Sequence, residues 1–311
     1  MGLVIIDKSP ISNVFSKDFI KSVGRFVFNK SRGPQALIKS LLRGLDELDY
    51  KYRYNPGVKH IYPNDTLYVT GSIAALKYAI KLKNAGGIKK IIAGPTLVVT
   101  PNDQGGIIKD KNIDIFLVPS LWVKNAHNLF GDDIFKSKLC IWAAGVSLPN
   151  IENDIEKKLC LVYKKNIKEN IFNQVICCLK DRNIPYQIIY YGKYKKNNYY
   201  DLLKKSSFMI YLQKSESQGI ALLEAWAHDV PTLVWDGGEY LVPNSKEVIS
   251  GLVSAPYLTN ECGLFFKDEK IGQTIDLMLK NLNIFEPRKY VKNNFTNKIC
   301  AQNFLNMIKA I

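Results

Sequence analysis

The chain has 311 residues, enough for two domains of ordinary size that each bury a core. A hydrophobic share of 47% and a charged share of 23% are those of a soluble globular protein, and no apolar run approaches ~18 residues, which excludes a membrane-spanning helix. Lys and Arg outnumber Asp and Glu by 43 to 28, and the net charge of +15 favours anionic partners: nucleotides, nucleic acid or an acidic membrane surface. A composition biased toward Lys, Ile and Asn gives the same surplus with no functional meaning, so both readings stay open. The N-terminus lacks a basic region followed by a long apolar core, so no signal peptide is expected. Ile6 argues against a myristoylation signal. Cys140, Cys160, Cys177, Cys178, Cys262 and Cys300 form no CxxC pair. They read as small buried hydrophobes in a reducing compartment.

Residues 1–23 precede the first clear strand and read as an added strand and helix. Residues 25–28 are the candidate first strand, followed by a loop over 29–33. Pro34 opens an amphipathic helix, a favoured place for proline. Residues 67–70 form a strand, and Ser72 caps a helix over 73–83. Residues 91–93 and 113–118 are further buried strands, with Ser120 capping the next helix. Residues 139–142 close the first half, and the polar, Pro-bearing segment 144–154 reads as a linker. A second series follows, with strands at 160–163, 187–191, 208–212, 232–235 and 264–266. Helices start near Lys270 and near Pro287. Alternation of this kind argues for an α/β protein with parallel sheets and crossover helices.

The most informative stretch runs from Ser215 to Ala227. Glu216 and Glu224 stand eight positions apart with Gly219 between them. The strand at 208–212 leads into this stretch. Glu216 therefore falls in a strand-to-helix loop and Glu224 on the helix that follows. Ligands of α/β proteins bind there, outside the carboxyl ends of the strands.

Glu216, seven residues and Glu224, continuing as Ala225-Trp226-Ala227-His228-Asp229-Val230-Pro231, resembles the EX7E motif of retaining glycosyltransferases of family 4. Asp236-Gly237-Gly238-Glu239 resembles that family's Gly-Gly loop, and residues 263–266 its late strand entered through glycine. Residues 288–296 resemble its closing helix, and Gly145-Val146-Ser147 the Gly-Val-Asp that ends its first domain. The match is specific over 140–300 and looser before it. It implies the GT-B fold, α/β with two Rossmann-like parallel-sheet domains facing a cleft. The domains would be an acceptor-side domain over 1–148, with 1–23 as an extension, and a nucleotide-sugar domain over 149–286. A C-terminal helix over 287–311 would cross back.

The resemblance also implies a reaction. A sugar would move from a UDP-, GDP- or other NDP-sugar donor to a glycan or lipid-linked acceptor, as in polysaccharide biosynthesis, with no cofactor and no metal. Loss of a diphosphate requires stabilised negative charge, and N–H groups at a helix start with nearby cations supply it. One helix terminus is worth about 0.3–2 kcal/mol, so lysines must add to it. Gly219, Gln218 and Ser217 form the expected phosphate cradle. Lys164, Lys165 and Lys168 stand where the family has an Arg and a Lys, with the assignment between them open. Glu224 would hold the donor ribose, since a carboxylate offers two acceptor oxygens to a cis-diol. Glu216 is the catalytic candidate, positioning the donor sugar. Gly33, with Arg32, occupies the place of the glycine-rich first loop, and Gly192 would border the base. The chain departs from the family in having Ser217 for a frequent glycine, Asp229 for the glycine at the helix end, one glycine in the first loop, and no His near 91–96. Thr96 or Asp103 would have to substitute for that His.

Several of these residues have plainer readings. Asp103 suits turn chemistry, Lys193 to Lys196 a solvated loop, and the four tryptophans core packing. His60 and His127 read as structural, and His228 as a helix C-terminal residue where a cation is favoured. The histidines and cysteines show no metal-ligand spacing. The alternative function is a non-catalytic GT-B-like module that binds a sugar nucleotide or a partner. A nucleic-acid-binding role has no recognised motif behind it. The expected location is cytoplasmic, with peripheral contact at the anionic inner membrane face through exposed lysines.

Overall fold

A computed structural model describes residues 2–8, 33–151 and 156–310. The expected strand at 25–28 and Arg32 lie outside them. The chain divides into two compact units, one of residues Met1–Ala144 with Cys300–Ile311, the other Gly145–Ile299.

The first unit is built on a parallel sheet of β1 (Leu3–Ile6), β2 (Tyr52–Tyr54), β3 (Thr66–Val69), β4 (Lys90–Ala93), β5 (Ile115–Val118) and β6 (Leu139–Ile141), in the order β2-β1-β3-β4-β5-β6. Leu3–Ile6 is thus an interior strand, not an addition. Successive side chains of a strand point to opposite faces. Val4 and Ile6 pack with Ala75, Leu76 and Ala79 of a helix on one face, while Leu3 and Ile5 pack with Leu37, Leu41 and Leu45 of another. Those helices are α1 (Gly33–Asp46) and α2 (Ile73–Asn84). Ser72 caps α2 by accepting from the Ala75 N–H at 3.2 Å. Helices α3 (Leu121–Asn128) and α4 (Asp133–Ser137) follow. Ser120 occupies the N-cap of α3, but its buried hydroxyl makes no capping bond, which corrects the expectation.

The second unit carries β7 (Leu159–Lys164), β8 (Tyr186–Tyr190), β9 (Ser206–Leu212), β10 (Thr232–Trp235) and β13 (Gly263–Phe266), all parallel, in the order β13-β10-β9-β7-β8. A small antiparallel pair, β11 (Glu239–Leu241) and β12 (Val248–Ser250), lies outside the sheet. The helices are α5 (Glu169–Asp181), α6 (Lys196–Lys205), α7 (Ile220–Ala227), α8 (Ile271–Lys280) and α9 (Pro287–Asn294); α10 (Asn297–Lys309) follows, and from Cys300 on it belongs to the first unit. Cys160 and Val162 of β7 pack with Phe208, Ile210 and Leu212 of β9 against α5 and α8. Tyr163 and Tyr211, one position on, stack on each other on the opposite face, with centroids 4.9 Å apart.

The single helix expected from Pro287 is two. Phe295 leaves the helical region at φ −134°, and Thr296 bridges to Val146. The last segment then joins the first unit's core, where Ala301, Phe304, Leu305 and Ile308 are buried among Leu3, Ile5, Leu37, Tyr68 and Trp142. The Trp142 indole donates to the Cys300 carbonyl at 2.9 Å. No helix among the described residues is long and apolar enough to cross a membrane.

Candidate donor-binding site

In the second unit the chain runs from β7 outward to β8, then returns to the other side of β7 at β9. The connections after β7 and β9 therefore lead away in opposite directions, and the carboxyl ends of these two strands are the place where doubly wound sheets bind ligands. The β7 loop brings Lys165, and the β9 loop brings Glu216. The Lys165 ammonium donates to Glu216 Oε1 at 2.5 Å, and the Tyr211 hydroxyl donates to the same oxygen at 2.5 Å. Burial and the adjacent Glu216 push the Tyr211 phenol well above its ordinary value, so it stays a donor. The two loops are stitched together. The Asn166 N–H donates to Gln213 Oε1 at 2.8 Å and the Lys214 N–H to the Asn166 carbonyl at 3.1 Å.

A third segment fastens Glu216 from behind. Its N–H donates to the Val253 carbonyl at 2.7 Å, and Ser254 Oγ bridges the Gly237 N–H and the Lys214 carbonyl at 2.9 and 3.0 Å. A Cβ on Gly237 would stand 2.5 Å from the Lys214 carbonyl oxygen. The Gly-Gly loop is thus a close backbone approach that a side chain would block.

Gly219 is the N-cap of α7 at φ 82°, ψ 50°. That left-handed geometry turns the chain from the Glu216 loop into the helix, and the first N–H groups of a helix have no partner within it. Replacing Gly219 by Ala costs about 1–2 kcal/mol of left-handed strain, and the added Cβ meets Leu222 Cδ1 at 3.1 Å. Urea unfolding of G219A is expected to show that loss; unchanged stability would contradict the strained turn. Ser217 is exposed and Gln218 buried in the same turn.

One turn before the end of α7, Glu224 is 7% exposed. The Lys196 ammonium donates to its Oε1, and the Tyr200 hydroxyl donates to the same oxygen at 3.1 Å. Oε2 is buried and has no hydrogen-bond partner. Burial raises the Glu224 carboxyl above its ordinary value, opposed by Lys196 and Tyr200. The end of α7 is held rigidly. Lys157 donates to the His228 and Asp229 carbonyls at 2.9 Å each, and Arg288 donates to the Ala227 carbonyl at 2.6 Å. Asp229 takes φ 59°, so aspartate supplies the left-handed stop in place of glycine. His228 corrects the expectation of a cation. Burial lowers its pKa, with Lys157, Arg288 and Lys204 acting the same way, and Nδ1 stands 2.7 Å from the Glu224 carbonyl.

Tyrosines stand near both glutamates. The Tyr163 and Tyr194 hydroxyls are 2.8 Å apart. Burial, with Glu224 and Glu216 both nearby, pushes the Tyr194 phenol up to about 12.

The other expected site residues divide. Lys164 folds back to Glu169 at 2.5 Å and over the Phe172 ring at 4.0 Å, away from Glu216. Lys168 sits at the N-cap of α5. Gly192 follows β8 at φ 75° with open space where a Cβ would stand, and Lys165 lies 4.5 Å over the neighbouring Tyr191 ring. Gly33 begins α1, in the first unit. Asp103, also there, accepts from the Val99 and Thr100 N–H groups at 2.9 Å each and from the Thr100 hydroxyl at 2.7 Å. Its carboxylate closes its own turn. Thr96 pairs with Thr70 at 2.9 Å. Among the described residues, no group of three or more His, Cys, Asp or Glu is placed to hold a metal ion.

The sequence reading missed Tyr200 and Tyr211 and took Lys196 and Tyr194 for part of a solvated loop, whereas Lys196 opens α6. Lys196 and Tyr200 stand four apart on one helix, a spacing that puts both on one face. That was the available signal.

No family model and no curated protein matches the sequence. Solved structures do. The chain is 12% identical to the lipopolysaccharide outer core galactosyltransferase WaaB, at a TM-score of 0.59 over 100% of this chain and 99% of that one. Sucrose-phosphate synthase from Thermosynechococcus elongatus matches at 9% identity and a TM-score of 0.54 over 100% and 99%. TarM matches at 14% identity and a TM-score of 0.51 over 80% of this chain, which spans 56% of TarM's length. These are GT-B glycosyltransferases, and at such identities the likeness is one of fold. The chain has the GT-B fold, built from two Rossmann-like α/β units.

Proposed function

We propose that the chain is a retaining glycosyltransferase of the family 4 type that takes a sugar from a nucleoside diphosphate donor to a glycan or lipid-linked acceptor. The observation that carries this reading is Glu224 Oε2, a buried carboxylate oxygen without a partner at the ligand-binding end of a doubly wound sheet. An orphaned buried acceptor is costly unless a ligand satisfies it, and a ribose hydroxyl is the donor that fits. The start of α7 and Lys165 supply N–H groups and positive charge for the diphosphate. Lys165 then exchanges Glu216 for phosphate, which releases the Glu216 carboxylate to the donor sugar's hydroxyls.

A thermal-shift panel of UDP, GDP, ADP and their sugar conjugates tests the reading. A ligand at about 100 times its Kd stabilises the native state by about 2.7 kcal/mol. A rise in melting temperature with one base is the expected result, and no shift across the panel would count against it. A second reading is a non-catalytic sugar-nucleotide-binding module. The end of β4 favours it, since Thr96 and Thr70 satisfy each other where the family places a His. Hydrolysis or transfer of the donor removes that reading.

A further inference from the structure

We infer that Lys196 belongs to the donor site as the positioning residue of Glu224. It stays on Oε1 with Tyr200 and leaves Oε2 as the one acceptor offered to the ligand. This rests on the donor-site reading above and adds to it a residue from a different helix. Three observations carry it. Lys196 and Tyr200 both donate to Oε1, while Oε2 is buried and unpartnered. Lys196 opens α6 and Tyr200 lies one turn on, so a single rigid helix delivers both groups. The Lys196 side chain is 31% exposed against 9% for Glu224, so the cation reaches inward to a carboxylate that cannot reach out.

The arrangement answers a physical problem. A carboxylate removed from water favours its protonated form. Lys196 holds it ionised, and an ionised acceptor binds a hydroxyl more strongly than a neutral one. With Oε1 saturated, Glu224 is left with one acceptor and not the pair expected for a cis-diol. The other titratable groups facing Glu224 stay fixed through neutral pH. Burial pushes Tyr194 up to about 12 and Tyr199 well above its ordinary value, and lowers His228, whose ring stacks on Tyr200 with centroids 5.0 Å apart. Lys157, Arg288 and Lys204 add positive charge near His228 and lower it further.

The test measures binding of UDP, GDP and ADP by calorimetry from pH 6 to 9 in wild type, K196M, K196R and Y200F, with melting temperatures as a check on folding. For the base that binds, K196M is expected to weaken affinity roughly tenfold or more at pH 7. Affinity of K196M then recovers as pH rises, because Glu224 regains its charge, while the wild-type profile lacks that recovery. K196R restores affinity to within about threefold, since it keeps the charge. Y200F, which loses a hydrogen bond to Glu224 but no positive charge, weakens binding less and adds less pH dependence than K196M. In wild type, removing one of the two ribose hydroxyls from the nucleotide is expected to cost about tenfold and removing the other little. Should K196M fail to fold, K196Q carries the same comparison. Binding by wild type with a K196M profile parallel to it overturns the role of Lys196 alone. No binding by wild type to any of the three nucleotides overturns the donor-site reading, and this inference with it.

Discussion

The Glu224→Gln protein is expected to bind nucleoside diphosphate roughly 10- to 100-fold more weakly than wild type, the worth of one charge-assisted hydrogen bond. It should also melt at or above the wild-type temperature. The two halves of this prediction have one cause. Burial raises the Glu224 pKa, so the folded chain holds the extra proton over a window that begins near the unfolded value of 4.5 and extends upward. Where the native state binds more protons than the unfolded state, stability falls as pH rises. This carboxylate therefore weighs against folding at neutral pH, and glutamine, of the same shape and uncharged, does not. Lys196, left without its partner, is exposed enough to turn to water. Urea unfolding at pH 5 and pH 7 reads the stability half: the variant's advantage should grow with pH. Calorimetry reads the binding half, and wild-type affinity in E224Q would remove Glu224 from the site.

Ending the chain after Ile299 is expected to unfold the first unit. The truncation removes Phe304, Leu305 and Ile308, whose side chains are 0%, 4% and 8% exposed. Full burial of such a side chain contributes about 1.5–3 kcal/mol, so the three together contribute about 4.5–9 kcal/mol, comparable to the entire stability of an ordinary domain. Phe304 is at the centre, 4.8 Å from the Tyr68 ring and 5.4 Å from the Trp142 ring. The milder Phe304→Ala should cost about 3–5 kcal/mol. Proteolysis followed by mass spectrometry distinguishes the outcomes: cleavage throughout residues 33–144 is expected in the truncated chain. Protection of that stretch at the wild-type level would show that its core is complete without the last helix.

The sheets were legible because their strands are continuous apolar runs, as buried parallel strands are. The run at 160–163 and the one at 208–212 left little choice of structure, and Gly219 and Asp229 bracketed α7 in advance. What escaped notice had no such run. Tyr52–Tyr54 is a half-exposed edge, and the β11–β12 pair is three residues on each side. The break between α9 and α10 depends on pairing between Thr296 and Val146, 150 positions earlier, which no local pattern reports. The site was half legible for the same reason. Glu216, Gly219 and Glu224 lie within one short stretch and declare a turn and a helix. Lys196 reads locally as one more lysine in a basic run; its contact with Glu224 closes 28 residues of separation through the fold. Lys164 and Lys165 are adjacent, yet opposite sides of β7 send one to Glu169 and the other to Glu216.

The return of Cys300–Ile311 to the first unit has a bearing on how the protein is made. Domains generally fold as units, and a ribosome delivers the N-terminal one first. Here that half emerges with a hydrophobic floor still uncovered, and the helix that covers it comes only after the whole second half has been translated. The second half has no such wait, because its strands and helices are contiguous in the message. The first unit therefore completes its core only after the second has been made.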